Sequence, residues 1–190
     1  MVAMGMTADP LSRRGLLIVS LPRNDPALAK AAASAGADLL KVHINVHHRA
    51  SGTRFGSLED EKDRLDAVLK AGVPTGLVPG EERMVTREEI PRLRRFAFLD
   101  AYVQRLPLFL YDVGIPVIPA IPHDYPHENM GSVAALPGDW LEAALVPPQV
   151  KVVAATPTQS VMMIRPLRDR ILPLPPLAAA EVVYWHSDYF

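Results

Sequence analysis

Polar and apolar residues alternate without a break along one stretch near the start of the chain. The positions from 40 to 47 are in turn Leu40, Lys41, Val42, His43, Ile44, Asn45, Val46 and His47. Side chains of a strand point alternately to its two faces, so the pattern predicts a strand over about 38–46 with its polar groups on one face. That face either contacts water or lines a site.

The segments around this strand predict repeated βα units. A continuous apolar run at 15–21 predicts a buried strand, and Asp25-Pro26 predicts the start of an alanine-rich helix that ends at Gly36. The same reasoning gives further strands at 73–78, 96–104, 116–121 and 150–155, and a last strand at 182–186. It gives further helices at 57–72, 88–95 and 139–145.

This order predicts a parallel sheet covered by helices, either a (β/α) TIM-type barrel or an open doubly wound sheet. The strand at 96–104 repeats the polar alternation with Asp100 and Tyr102. In an open sheet such groups would lie beneath helices, whereas inward side chains of a barrel reach a polar mouth. The barrel is therefore favoured. It is small or incomplete, with short helices in its C-terminal half, because eight units need about 200 residues.

Composition adds bounds on domain organisation and partners. The 190 residues predict a flexible N-terminal tail at 1–13 and a single barrel domain at 14–190. A net charge of -1 gives no reason to expect nucleic acid or a membrane surface as partner. The chain has no cysteine and no apolar run of about 18 residues, so we expect a cytoplasmic protein. The polar strand faces predict a small-molecule substrate as its partner. A short barrel also predicts a homo-oligomer.

The candidate catalytic residues are Lys41, His43 and Asp100. A lysine buried inside a barrel can act as a base or form an imine with a carbonyl compound, and the other two side chains can move protons. A structural Lys41–Asp100 ion pair without chemistry is the alternative. The candidate substrate-binding residues are Asn45, Arg54, Tyr102 and His123. No cofactor is predicted, although a divalent metal held by His43, Asp100 and His123 is conceivable.

The stretch AKAAASAGADLLKVHINVHH resembles the first helix and second strand of the phosphate-binding TIM barrels, in their ribulose-phosphate-binding branch. The resemblance covers about residues 15–80. It implies a barrel fold and a phosphorylated substrate. In that family this strand carries a metal-binding histidine and a catalytic aspartate, and the corresponding positions here hold Lys41 and His43.

Three functional hypotheses remain open from the sequence. The first is a lyase or isomerase that acts on a carbonyl-containing, phosphorylated or carboxylated metabolite, with Lys41 as base or imine former. The second is a metal-dependent hydrolase or epimerase that uses histidine and aspartate ligands. The third is a non-catalytic ligand-binding or structural subunit of a homo-oligomer.

Overall fold

The structure is a computed structural model that describes residues 16–48, 51–122, 124–138, 140–144, 162–166 and 182–186. Its strands are β1 (Leu16–Ser20), β2 (Leu39–His43), β3 (His47–His48), β4 (Thr53–Arg54), β5 (Thr75–Val78), β6 (Leu99–Tyr102), β7 (Val117–Ile121), β8 (Trp140–Ala144), β9 (Met162–Pro166) and β10 (Val182–His186). Its α-helices are α1 (Pro26–Ser34), α2 (Lys62–Val68), α3 (Ile90–Leu93) and α4 (Met130–Ala134). Short 3-10 segments lie at Leu69–Ala71, Arg87–Glu89, Leu108–Val113 and His127–Asn129.

One eight-stranded sheet runs in the order β10-β1-β2-β5-β6-β7-β8-β9. From β1 to β8 every pair is parallel, and each strand lies beside the next strand of this sheet along the chain. The last strand, β10, pairs parallel with β1, while β9 pairs antiparallel with β8. In a doubly wound sheet the strand order reverses at one point. No such reversal occurs among the described strands from β1 to β8. The small, incomplete (β/α) barrel is therefore confirmed, and the open sheet is wrong.

The two faces of the sheet carry two separate clusters of buried side chains. The outer cluster joins strand residues such as Leu40, Val42 and Leu77 to Leu65 and Val68 of α2. The inner cluster is smaller and consists of Ile18, Leu39, Phe98 and Ile118, with Trp140 packed against it. A barrel is expected to have these two cores, one between sheet and helices and one inside the sheet.

Gly76 makes room for the ring of Phe98 in the inner cluster. A Cβ atom at this position would lie 2.2 Å from ring atoms of Phe98, which is fully buried. Gly76 is the register partner of Lys41 on the neighbouring strand. The ring therefore occupies space that a side chain on β5 would fill, directly beside the polar positions of β2.

The polar strand ends earlier than the alternation predicts. β2 stops at His43, and Asn45 adopts a left-handed conformation with φ of 53°, which turns the chain away from the sheet. The residues that follow form a separate antiparallel hairpin, β3 with β4. The prediction of a strand to residue 46 is therefore wrong at its carboxyl end, and Asn45 lies outside the strand face.

The helix predicted at 139–145 is wrong, because this segment is the strand β8. Glu142 and Ala143 pair with Ala120 and Ile121 of β7, and this ladder overrides the helical propensity of the local sequence. The helix of this unit is α4, earlier in the chain. The predicted tail at 1–13 and the predicted strand at 150–155 lie outside the described residues.

The helices are short where the sequence predicted short helices, and their ends carry the expected signals. Thr86 and Glu89 form the predicted capping box before α3. The segment that begins with α2 ends at Gly72, which has a left-handed φ of 81°. In the described ranges, no helix combines the length and apolar character needed to cross a bilayer.

Candidate functional site

Three charged side chains from alternate strands meet inside the barrel. Lys41 Nζ lies 2.7 Å from Asp100 Oδ2, and 3.0 and 3.2 Å from the two carboxylate oxygens of Glu142. These residues come from β2, β6 and β8, the second, fourth and sixth strands when counted from β1 along the sheet. Alternate strands of a (β/α) barrel contribute to the same layer of interior side chains. We refer to Lys41, Asp100 and Glu142 as the charged layer.

The charged layer is almost completely removed from water. The exposed fractions of its members are 5% for Lys41, 2% for Asp100 and 2% for Glu142. A buried charge is strongly unfavourable unless it is paired, and here one ammonium group contacts two carboxyl groups. The layer therefore holds more acidic groups than basic ones in a region of low dielectric.

This imbalance shifts the pKa values of two members upward. Burial by itself lowers the pKa of Lys41, but the attraction of Asp100 and then of Glu142 outweighs burial, and the pKa is raised. Burial, followed by the negative charge of Asp100, raises the pKa of Glu142 well above its ordinary value, and Lys41 only partly opposes this. The resting site thus favours a cationic lysine beside a carboxyl group that tends to keep its proton.

His43 lies two residues beyond Lys41 on the same face of β2, and it is 3% exposed. Its Nε2 is 3.4 Å from the hydroxyl of Ser20, the register partner of Lys41 on β1. The ring stacks on Phe55, with centroids 5.0 Å apart, and lies 4.8 Å from the ring of His48. The hairpin therefore covers this histidine.

Asn24 fixes the backbone of His43 from the loop after β1. Its Nδ2 donates to the His43 carbonyl at 2.7 Å, and its Oδ1 accepts from the His43 amide at 3.2 Å. The same Nδ2 lies 3.2 Å from a carboxylate oxygen of Glu61. A fully satisfied buried network of this kind holds the position of its members.

Tyr102 ends β6 at the rim of the barrel and is 38% exposed. Burial, followed by the nearby carboxyl group of Glu142, raises the pKa of its hydroxyl. The hydroxyl therefore keeps its proton and can donate a hydrogen bond at the mouth, above the charged layer.

The remaining predicted residues lie away from the charged layer or outside the described ranges. Asn45 is half-buried in the turn after β2, where its backbone N–H donates to the Gly56 carbonyl at 2.7 Å. Arg54 is exposed on β4 and lines a cleft beside the hairpin. His123 lies outside the described residues. Lys41, His43, Asp100 and Tyr102 are thus brought to one side of the sheet, and Asn45 and Arg54 are not.

The predicted metal ligands do not form a described cluster. Within the described ranges, no group of three or more histidine, cysteine, aspartate or glutamate side chains is arranged to hold a metal ion. Because one of the three predicted ligands, His123, falls outside those ranges, the set of His43, Asp100 and His123 remains a prediction.

Glu142 and Asn24 are the site residues that sequence reasoning missed. Glu142 lies in the segment for which the sequence predicts a helix, and a helix would not place it on the face of a sheet. Treated as a strand, the segment places Trp140 and Glu142 on one face, and this alternation matches that of Phe98, just before β6, and Asp100 within it. No local signal distinguishes Asn24 from an ordinary loop residue.

The chain matches no protein-family model and no curated protein in sequence. Among solved structures it is similar to a type I 3-dehydroquinate dehydratase from Clostridium difficile, with a TM-score of 0.51 and 14% identity. The match covers 78% of this chain and 66% of that enzyme, so this chain spans slightly less than two thirds of its neighbour. That structure is described as carrying covalently modified comenic acid. The likeness supports the barrel fold, but it does not identify the ribulose-phosphate-binding type.

Proposed function

We propose that the protein is an enzyme of lyase or isomerase type that acts on a carbonyl-containing metabolite, with Lys41 as imine former or base. The observation that carries this proposal is the charged layer. A buried ammonium group held by two carboxyl groups is expensive as a purely structural device, because well-packed apolar residues of similar volume often give equal or greater stability. Strongly perturbed titratable groups cluster at functional sites for this reason.

The two carboxyl groups supply what imine formation needs. The raised pKa of Lys41 means that the resting group is an ammonium ion, which must first pass a proton to a carboxylate. The nitrogen lone pair then attacks the carbonyl carbon, and the nitrogen releases a second proton to a carboxylate. The carbonyl oxygen takes both protons from the carboxyl groups and leaves as water. Ammonium ion and carbonyl compound thus become an iminium ion and water, with no change in net charge. The carboxylates that stabilise the ammonium ion also stabilise the iminium ion.

Proton transfer next to the iminium carbon then leads to either reaction class. A carboxylate or His43 takes the proton, and the electrons of the C–H bond move into the iminium group to give an enamine. In a lyase the enamine expels a hydroxyl group, which leaves as water with the proton that the carboxylate or His43 has just taken. In an isomerase a different carbon takes the proton. Water finally releases the product from Lys41. In the base version, Lys41 first passes its proton to a carboxylate, and the neutral amine then takes the proton next to the carbonyl carbon of the substrate.

The structural neighbour supports the class of reaction only in general terms. Its name is that of a dehydratase, and its ligand is described as covalently modified, while the shared feature is the fold. Fold alone does not determine chemistry, so the substrate is taken from the site and not from the neighbour. The proposal includes a phosphorylated or carboxylated substrate, a cytoplasmic location and a homo-oligomeric assembly.

Borohydride trapping tests the imine version. Purified protein is incubated with a panel of small keto acids and keto phosphates, reduced, digested and examined by mass spectrometry. We expect a reduced adduct on the peptide that contains Lys41 and none on the peptide that contains Lys30, an exposed lysine of α1. The Lys41→Met variant provides the matched blank.

Solvent deuterium exchange at the carbon next to the carbonyl tests the base version with the same compounds. Exchange that occurs without a trapped adduct and is lost in Lys41→Met supports this version. If neither an adduct at Lys41 nor exchange occurs with any compound, the proposal fails, and the non-catalytic hypothesis takes its place. Size-exclusion chromatography with light scattering tests the oligomeric part separately.

A further inference from the structure

We propose that a cleft at the rim of the barrel binds the phosphoryl group of a small metabolite through Arg54, Arg64 and Arg23. Three segments form its walls: the loop after β1, the strand β4 and the first turns of α2. The cleft has a volume of about 430 Å³, within the ordinary range for pockets that hold small molecules. Binding in the cleft does not require Lys41, so it stands apart from the proposed chemistry.

The acidic groups of the cleft are already engaged by the protein. Asp25 accepts from the Ala27 amide at 2.8 Å and thereby caps α1. Glu61, which is buried, accepts from the Gly56 amide at 3.1 Å and from Asn24 at 3.2 Å. Both carboxylates therefore have backbone or amide partners that do not depend on the arginines.

The basic groups of the cleft are engaged only loosely. Arg64 approaches Glu61 at 3.5 Å and Arg23 approaches Asp25 at 3.8 Å, and their side chains are 68% and 64% exposed. Exposed pairs of this kind contribute about 0–1 kcal/mol and are easily exchanged for a ligand. Arg54 is exposed, and no carboxylate in the described part of the chain pairs with it. Three guanidinium groups thus have donors available around one cavity.

Guanidinium groups indicate the chemistry of the ligand. Their planar forks match the oxygens of phosphate and carboxylate groups, and several around one cavity favour a doubly charged phosphoryl group over a single carboxylate. The first two positions of α1 add no available donor, since Pro26 has no N–H and the Ala27 amide already bonds to Asp25. The arginines therefore carry the interaction.

The cleft shares a wall with the covered histidine of the barrel. Asn24 and Phe55 both line the cleft, and both contact His43, by backbone hydrogen bonds and by ring stacking respectively. Asn24 and Phe55 would thus lie between His43 and a phosphoryl group bound in the cleft. Either a phosphorylated substrate or a separate phosphorylated effector could supply this group.

Calorimetric titration with inorganic phosphate and with glycerol 3-phosphate tests the inference. We expect both to bind the wild-type protein, and acetate to bind at least tenfold more weakly. Arg54→Gln and Arg64→Gln should each weaken binding about tenfold or more, because each removes a hydrogen bond between charged groups. Arg87→Gln is the matched control, since Arg87 is 66% exposed and lies 3.6 Å from Asp112, far along the chain from the cleft segments.

Three results would overturn the inference: no binding of phosphate to the wild-type protein, unchanged affinity in both cleft variants, or an equal loss in Arg87→Gln. Binding that persists in a protein with no adduct at Lys41 separates this site from the proposed function. Phosphate that slows the trapping of a keto phosphate but not of its unphosphorylated analogue assigns the cleft to the substrate. Equal effects on both compounds assign it to an effector, and either assignment supports the cleft.

Discussion

Replacing Lys41 with methionine removes the cation of the charged layer and leaves its carboxyl groups in place. Methionine is unbranched and of similar length, so the main change is the loss of charge and not of volume. The ammonium group makes contacts of 2.7, 3.0 and 3.2 Å to Asp100 and Glu142. Without it, two buried carboxyl groups face each other with no compensating charge.

The expected loss of stability follows from that geometry. Breaking a buried ion pair by removing one partner destabilises a protein by about 3–5 kcal/mol. For a domain of 150–250 residues, each kcal/mol shifts Tm by about 2–4 °C, so Tm should fall by about 6–20 °C at pH 7. At pH 5 the loss should be smaller, because Glu142, whose pKa burial raises well above its ordinary value, is then more fully protonated and no longer repels Asp100.

Differential scanning calorimetry and urea unfolding at both pH values measure this effect. Lys30→Met is the matched control, since Lys30 is exposed on α1 and its replacement should change stability by no more than about 0.5 kcal/mol. A Lys41→Met protein as stable as the wild type at pH 7 would refute the reasoning. So would a loss of stability that does not depend on pH.

Two other changes probe the same interior. The folded chain holds a proton on Glu142 that the unfolded chain releases near the ordinary pKa of 4.5. The free energy of unfolding of the wild-type protein should therefore fall as pH rises above that value toward the raised pKa. Glu142→Gln should remove this pH dependence, which urea unfolding at pH 5 and 7.5 measures. A slope that Glu142→Gln leaves intact would assign it to another group. Gly76→Ala should destabilise the fold by about 1–3 kcal/mol, since the added methyl group would overlap the buried ring of Phe98, whereas Gly131→Ala in open space on α4 should not. Equal Tm values for the two alanine variants would contradict that view of the inner core.

The alternating strands carried most of the information that the sequence held about the site. Local pattern alone predicts that Lys41 and Asp100 each lie on the polar face of a strand, and it favours a barrel because inward side chains of a barrel reach a polar mouth. Their contact is present in the structure at 2.7 Å. A pattern of period two is informative because it depends only on the geometry of the strand itself.

The parts that could not be predicted depend on contacts between distant segments. The sequence around Glu142, DWLEAAL, is rich in residues that favour helices, and only its pairing with β7 and β9 makes it a strand. The early end of β2 depends on the left-handed conformation of Asn45, which is one of several that asparagine tolerates. The cleft is formed by a loop, a strand and the start of a helix that lie apart along the chain, so it exists only once these segments pack together.

The separation of the charged residues along the chain has a consequence for the order in which the layer assembles. Lys41 and Asp100 are 59 positions apart, and Lys41 and Glu142 are 101 positions apart. When the ribosome has synthesised the chain only through β7, the layer contains Lys41 and Asp100, one ammonium group and one carboxylate. The surplus carboxyl group arrives with β8, after five strands of the main sheet are already available to fold. Glu142, the carboxyl group that keeps its proton, is thus added late in synthesis. By then the charges of Lys41 and Asp100 can already neutralise each other.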